Sequence, residues 1–278
     1  MRKSTILALA ISATLISCGG SGYKYQGGGN TDKEQQKVTY TKYDIPLPVE
    51  LFTYLIDESI PFNPDILNNP DKGGQYTKET EQAAALGLYS ADLAYCAVYN
   101  KQQAVMDFFN CSQSIAESLN VSAGFDRTYI DRFENNIECA DSLSSIASNS
   151  YWTACNFLDE NGKNNILPFV IYSSWVESLY LTIKSNDLND TKAQIISQKQ
   201  GLLNLISYLY EVMIESSAFY YNMDIKLMIW KLNNLKTIYE KIIDKDIDPQ
   251  LYSDICSKIV TMRNEIVTPP QKKTSLTI

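Results

Sequence analysis

Ala83-Ala84-Ala85-Leu86-Gly87-Leu88-Tyr89-Ser90-Ala91-Asp92-Leu93-Ala94-Tyr95-Cys96-Ala97-Val98-Tyr99 carries one charge, Asp92. Strand alternation does not fit it, and neither does a single apolar stripe, because the stretch is apolar on every side. A helix of that composition belongs in the middle of a larger body, with neighbours all round. Its two sides still differ. On helical spacing Leu88, Tyr89, Asp92, Tyr95, Cys96 and Tyr99 share one side, and Ala83, Gly87, Ser90, Ala94 and Ala97 gather opposite. The small side lets a second helix come close, and the aromatic side fills volume around a buried carboxylate. This predicts the central helix of an all-α domain.

Downstream the pattern stays helical. Thr77 is the expected N-cap of the central helix. A second helix is predicted over about Gln102 to Leu119, with a turn at Asn120 to Gly124. Asp126 caps a third, with Phe125 and Ile130 as a hydrophobic staple. Asp141 is the expected cap of a fourth, which Asn161-Gly162 ends, and a fifth covers Asn165 to Ser185. A polar linker at Asp187 to Asp190 leads to two long helices, Thr191 to Glu215 and Phe219 to Ile243. Asp248-Pro249 starts the last, with Ile247 and Tyr252 as staple and Leu251, Ile255, Ile259, Met262 and Ile266 inward. Thr268-Pro269-Pro270 stops it. No strand is expected. The predicted architecture is one antiparallel bundle of about seven to eight helices over residues 45–268, with a disordered tail at 269–278.

Upstream, Pro46, Pro48, Pro61, Pro64 and Pro70 leave room for one short helix, Glu50 to Glu58, with Leu51, Tyr54 and Leu55 inward. The rest of that segment is expected to lie extended over the body. Before it, residues 18–44 hold Gly27-Gly28-Gly29 and a polar run, which read as a flexible tether reaching roughly 28 Å by random-coil scaling. Residues 1–17 read as a secretory signal: Met1-Arg2-Lys3, then the apolar run Ile6 to Ile16. Leu15-Ile16-Ser17-Cys18-Gly19 resembles the bacterial lipobox, which implies cleavage before Cys18 and acylation of its sulfur and of the new N-terminus.

Composition narrows the function classes. With 45% hydrophobic and 20% charged residues the chain is an ordinary globular one. A net charge of −8 argues against nucleic acid or anionic lipid as a main partner. The chain has no His, which removes the usual zinc and iron ligands, the Ser-His-Asp and Cys-His pairs and the commonest general base. No metal and no cofactor is expected. Five cysteines follow Cys18, at 96, 111, 139, 155 and 256, without a CxxC pair. Their setting within helical patterns favours small buried free thiols over disulfides.

Three constellations could carry function. Asp92, Glu177 and Asp141 could pair as the carboxylates of a hydrolase, but Asp141 reads better as a cap. Glu177 shares a helix side with Lys184 and reads as solvated. Asp92 reads as buried and satisfied by a Tyr hydroxyl or a backbone N–H. Tyr89, Tyr95, Tyr99, Trp175 and Tyr180, with Asp92 and Glu177, form the candidate set for ligand binding or structural polarity. Tyr151, Trp152 and Tyr172 belong to the same aromatic cluster, which suits a helical core or a cleft for a sugar or lipid.

Six stretches, in order, resemble one family: Ile45-Pro46-Leu47-Pro48, Asp65-Ile66-Leu67-Asn68-Asn69-Pro70, Leu86 to Tyr95, Arg132-Phe133-Glu134-Asn135-Asn136, Asp141-Ser142-Leu143 and Trp175-Val176-Glu177-Ser178-Leu179-Tyr180. They resemble uncharacterised helical lipoproteins of Bacteroidota, and the Gly-x-Tyr-x-x-Asp-Leu and Trp-x-Glu-x-Leu-Tyr stretches are the most specific. Ser174 and Ser178 stand where relatives often have Gly. The resemblance implies an exported helical domain in the cell envelope, on an outer-membrane lipid anchor, and brings no activity with it. The expected role is a non-catalytic interaction or scaffolding module. Its partners would be the membrane through the anchor, and another envelope protein or a small glycan or lipid. The alternatives are a glycan- or lipid-binding receptor and a carboxylate hydrolase.

Overall fold

The computed structural model describes residues 45–121, 123, 125–136, 138–185, 191–215, 222–242 and 247–268. All of them belong to one unit, Tyr40–Ile278. The signal, Cys18, the tether, the linker at 187–190 and the tail at 269–278 lie outside the described residues. The described chain is all-α, with ten helices and two 3-10 turns.

The Pro-rich segment forms α1 (Pro48–Asp57), then turns at Pro64–Ile66 and Pro70–Gln75. Both turns are written in Asn-Pro steps: Asn63 Oδ1 accepts from the Asp65 N–H at 3.0 Å, and Asn69 Oδ1 from the Asp71 N–H at 2.9 Å. Pro supplies the fixed φ and Asn the side-chain cap. This segment, residues 58–77, is a strap laid across the helical body.

Helix α2 (Glu79–Val98) is the predicted central helix, and every residue from Ala85 to Ala97 is buried. It starts two residues beyond Thr77, because Glu81 reaches back to the Lys78 N–H at 3.4 Å and to its ammonium at 2.6 Å. Helices α3 (Gln102–Ser118), α4 (Arg127–Asn135), α5 (Ala140–Glu160) and α6 (Leu167–Lys184) follow. Asp126 caps α4 as expected, accepting from the Thr128 N–H at 2.9 Å. Asp141 does not cap α5; Cys139 holds that place and Asp141 sits in the first turn.

A second helix is buried all round. In α6 every residue from Leu167 to Leu179 is buried, and it packs along α2 more extensively than any other pair of elements. A Cβ on Gly87 would stand 2.1 Å from the carbonyl oxygen of Val170 and 2.3 Å from Ser173 Oγ. The small side of α2 therefore does admit a neighbour's backbone. The hydroxyls along this contact are satisfied within their own helices: Ser90 bonds the Leu86 carbonyl and Ser173 that of Phe169, each at 2.7 Å. Ser178 bonds the Ser174 carbonyl at 2.7 Å and Thr182 that of Ser178 at 2.8 Å. Serine thus supplies a thin surface with no unmet polar group.

The helix expected over Thr191 to Glu215 is two, α7 (Lys192–Ser197) and α8 (Lys199–Glu215). The Tyr239 hydroxyl donates to the Ile195 carbonyl at 2.7 Å, and that carbonyl takes the Gln198 N–H at 3.2 Å in a tightened turn. A tertiary donor thus diverts the ladder where the two pieces part. Helix α9 (Met223–Tyr239) packs on α8, and α10 (Pro249–Val267) packs on α6, α9 and α2. Asp248 caps α10, accepting from the Gln250 N–H at 2.9 Å.

Candidate functional site

Three tyrosines of α2 hold the strap by its backbone. The Tyr89 hydroxyl donates to the Asn69 carbonyl at 3.1 Å, and that of Tyr99 to the Ile60 carbonyl at 2.8 Å. The Tyr95 hydroxyl accepts from the Asn63 N–H and from Ser185 Oγ, both at 3.1 Å. Phe62 stacks on Tyr95, with ring centroids 5.4 Å apart and planes 27° from parallel. The aromatic side of α2 is therefore taken up by the chain's own preceding segment.

Between Tyr89 and Tyr95 the strap sends one side chain inward. Asn68 Nδ2 donates to Asp92 Oδ2 at 2.7 Å and to Glu177 Oε1 at 2.9 Å. Its Oδ1 accepts from Arg263 Nη2 at 2.7 Å, and Arg263 Nε donates to Glu177 Oε2 at 3.1 Å. The guanidinium also lies over the Tyr180 ring, 4.2 Å from its centroid. Four elements meet here: the strap, α2, α6 and α10. The amide can point only one way, since reversing it would set an oxygen against two carboxyl oxygens and an NH2 against a guanidinium.

Asp92 and Glu177 are both fully buried, so the expectation of a solvated Glu177 is overturned. Lys184 does lie on the same helix, but α10 and the strap cover the turn that bears Glu177. Burial pushes the Glu177 carboxyl up to about 7, against the pull of the Arg263 charge and hydrogen bond and of Asn68. Asp92 is held well above the usual carboxylate range by burial and then by the Glu177 carboxyl beside it. Two carboxyls this close and this buried resist being ionised together, and Arg263 favours the charge on Glu177 over Asp92. Asp92 Oδ1 meets no hydrogen-bond partner among the described residues. Asp92 is drawn down by the Asn68 side-chain amide and by the Asn68 backbone N–H, so the expected backbone donor is present and the expected tyrosine hydroxyl is not among its partners.

Of the candidate set, Tyr89, Asp92, Tyr95, Tyr99 and Glu177 converge on the strap or its asparagine, and Tyr180 lies against Arg263. Trp175 does not; it is buried in the α6 core and its indole N–H meets no acceptor. Asp141 lies at the far end of α5 and takes no part. Asn68 and Arg263 were not legible in advance. Asn68 sits where no periodicity applies, whereas Arg263 carried a faint signal as a cation beside Met262 on the inward stripe of α10.

The five cysteines at 96, 111, 139, 155 and 256 are free. Four are buried, and burial pushes Cys111 and Cys155 up to about 12. Cys139 departs from the expected burial: it is exposed at the start of α5, where the Ser142 hydroxyl and backbone amides lower its thiol below the ordinary value. A cavity beside Trp152, lined by Ile45, Pro46, Tyr151 and Ile171, measures about 10 Å³, room for one water.

A second region carries apolar side chains outward. Tyr210 and Ile214 on α8, and Met223, Leu227 and Trp230 on α9, are exposed, with Ile214 at 76%, Met223 at 71% and Trp230 at 61%. The spacing i, i+4 on α8 and i, i+4, i+7 on α9 puts each set on one face. The two helices pack together, and Asn233 Nδ2 donates to the Tyr210 hydroxyl at 3.4 Å, which ties the Tyr210 edge of α8 to the turn of α9 after Trp230. The five side chains make one apolar face.

These features define a class: an all-α domain bolted shut by its own N-terminal strap. No protein-family model matches the chain, and neither does a curated protein or a solved structure. No helix among the described residues is long and apolar enough to cross a membrane.

Proposed function

We propose that this chain is a lipid-anchored protein of the bacterial cell envelope, held in the outer membrane through Cys18, whose helical body is a non-catalytic interaction module of the Bacteroidota lipoprotein type it resembles. The observation that carries the reading is the apolar face on α8 and α9. Large side chains exposed together, not singly, are what an interaction surface looks like. Two further features support it. The carboxyl pair Asp92 and Glu177 straddles the Asn68 amide, so the space where a substrate or attacking water would sit is already filled. The aromatic rings Tyr89, Tyr95 and Trp175, which a sugar cleft would need open, are nearly fully buried.

The anchor is tested apart from the body. Cells expressing the Cys18→Ser chain are fractionated beside wild type, and the substituted protein is expected to leave the membrane pellet. Retention in the pellet would refute lipid anchorage.

A further inference from the structure

The α8–α9 face has a shape and size that narrow what it meets. Its side chains stand out from two packed helices. The five side chains are fewer than the roughly 20–30 residues a side of a stable protein interface, so the contact they make on their own is weak.

Its composition is that of a membrane interface: Trp230 and Tyr210 beside Ile214, Met223 and Leu227. The chain outside the described body supplies the missing strength. Twenty-six residues separate Cys18 from Ile45, a tether that can span at most about 90 Å. Resting on the lipid anchor proposed above, that tether holds the body at an effective concentration of about millimolar over the bilayer, where a weak contact is occupied. The net charge of −8 makes attraction to anionic headgroups the wrong driving force.

We infer that the face formed by Tyr210, Ile214, Met223, Leu227 and Trp230 docks onto the surface of a zwitterionic bilayer and lays the domain against the membrane that anchors it. Binding comes from burial of the apolar tips, so it tolerates salt.

The test uses the mature chain carrying Cys18→Ser, so that no acyl chain contributes, and vesicles of phosphatidylcholine with brominated acyl chains at about millimolar lipid and above, which replaces the effective concentration the anchor would supply. The three tryptophans differ in exposure: Trp175 is buried, Trp152 half-buried on α5, and Trp230 exposed on the face. Bromine is expected to quench the Trp230 emission, equally at low and high salt. Ile214→Glu with Met223→Glu should weaken partitioning at least about tenfold while the circular dichroism and melting curve stay as in wild type. Absence of quenching, quenching indifferent to the double substitution, or a concentration-dependent dimer abolished by it would each overturn the docking. A lipidated chain that pellets with membranes while its unlipidated form gives no quenching would overturn the docking and leave the anchor standing. Quenching by the unlipidated chain supports the docking whatever fractionation says of Cys18.

Discussion

The centre of the body and its α8–α9 face invert the usual placement of side chains in opposite ways. At the centre two carboxyls, an amide and most of a guanidinium are buried, and nearly all their bonding capacity is used. At the face Ile214, Met223 and Trp230 stand in solvent and bond to nothing. The first arrangement is costly and specific, because a buried ion is tolerated only with its partners in place, and those partners come from four separate elements. The second costs the folded body little and serves nothing within it. A polar group that the fold pins down is thus part of the architecture, and an apolar group that the fold leaves alone is where a function outside the chain is to be sought.

The sharpest way to break that contrast is Arg263→Ala. Among the described residues it removes the only cation bonded to the cluster, and it leaves Glu177 and Asp92 buried beside each other. Breaking a buried pair from one side costs about 3–5 kcal/mol, moderated here because Glu177 can take up a proton. The melting temperature should fall by roughly 10 °C, taking 2–4 °C per kcal/mol for a body of this size. A variant as stable as wild type would show that the bond between α10 and the strap holds nothing. Because the fall eases when Glu177 is protonated, it should be smaller at pH 5.5 than at pH 8.

Sequence and structure agree where periodicity governs and part where it does not. The Ala83 to Tyr99 stretch disclosed a helix buried all round, and Gly87 against Val170 is the close approach its small side promised. The caps at Asp126 and Asp248 were legible because a short acid before a helix has one good use. The whole burial of α6 was not, since Glu177 and Lys184 on one side of a helix look alike until a third element covers one of them. Nor was the role of the strap. Asn68 and Glu177 are 109 residues apart, and no local pattern registers a contact formed only on folding. Three of the stretches that carried the family resemblance, those with Asn68, with Asp92 and with Glu177, prove to meet at this point.

The next effect in size distinguishes charge from shape at the same place. Asp92→Leu removes the acceptor of an Asn68 N–H in a buried site, and should cost about 1–3 kcal/mol. Asp92→Asn keeps an oxygen for that donor and removes a carboxyl that burial already disfavours, so it should cost less. The pH dependence follows from the same groups. Both carboxyls hold their protons more tightly folded than unfolded, Glu177 near 7 against an ordinary 4.5. The stability they give is therefore complete below about pH 4.5 and is lost as pH rises through 7. Wild type should melt higher at pH 5.5 than at pH 8, and Glu177→Gln should flatten that slope. A wild-type melting temperature that rises across this interval would contradict the upward shift of the two carboxyls.

The smallest effect is expected at the α8–α9 face, and its smallness is the point. Trp230→Ser removes the largest exposed ring of the body, a change that in the core would be among the most damaging available. On the folded chain Trp230 is 61% exposed and has neighbours on one side only, so little burial is lost. Substitutions of that kind fall within about ±0.5 kcal/mol, against 3–5 kcal/mol for removing an aromatic side chain from a packed interior. The measurement is a melting curve of Trp230→Ser beside one of Phe109→Ala, whose ring is fully buried between Phe125 and Phe133. If Trp230→Ser unfolds the protein as readily as Phe109→Ala does, the ring belongs to the body's own packing and is not a surface held out for a partner. If its melting curve lies on that of wild type, the chain keeps a large aromatic in water that its own stability does not need.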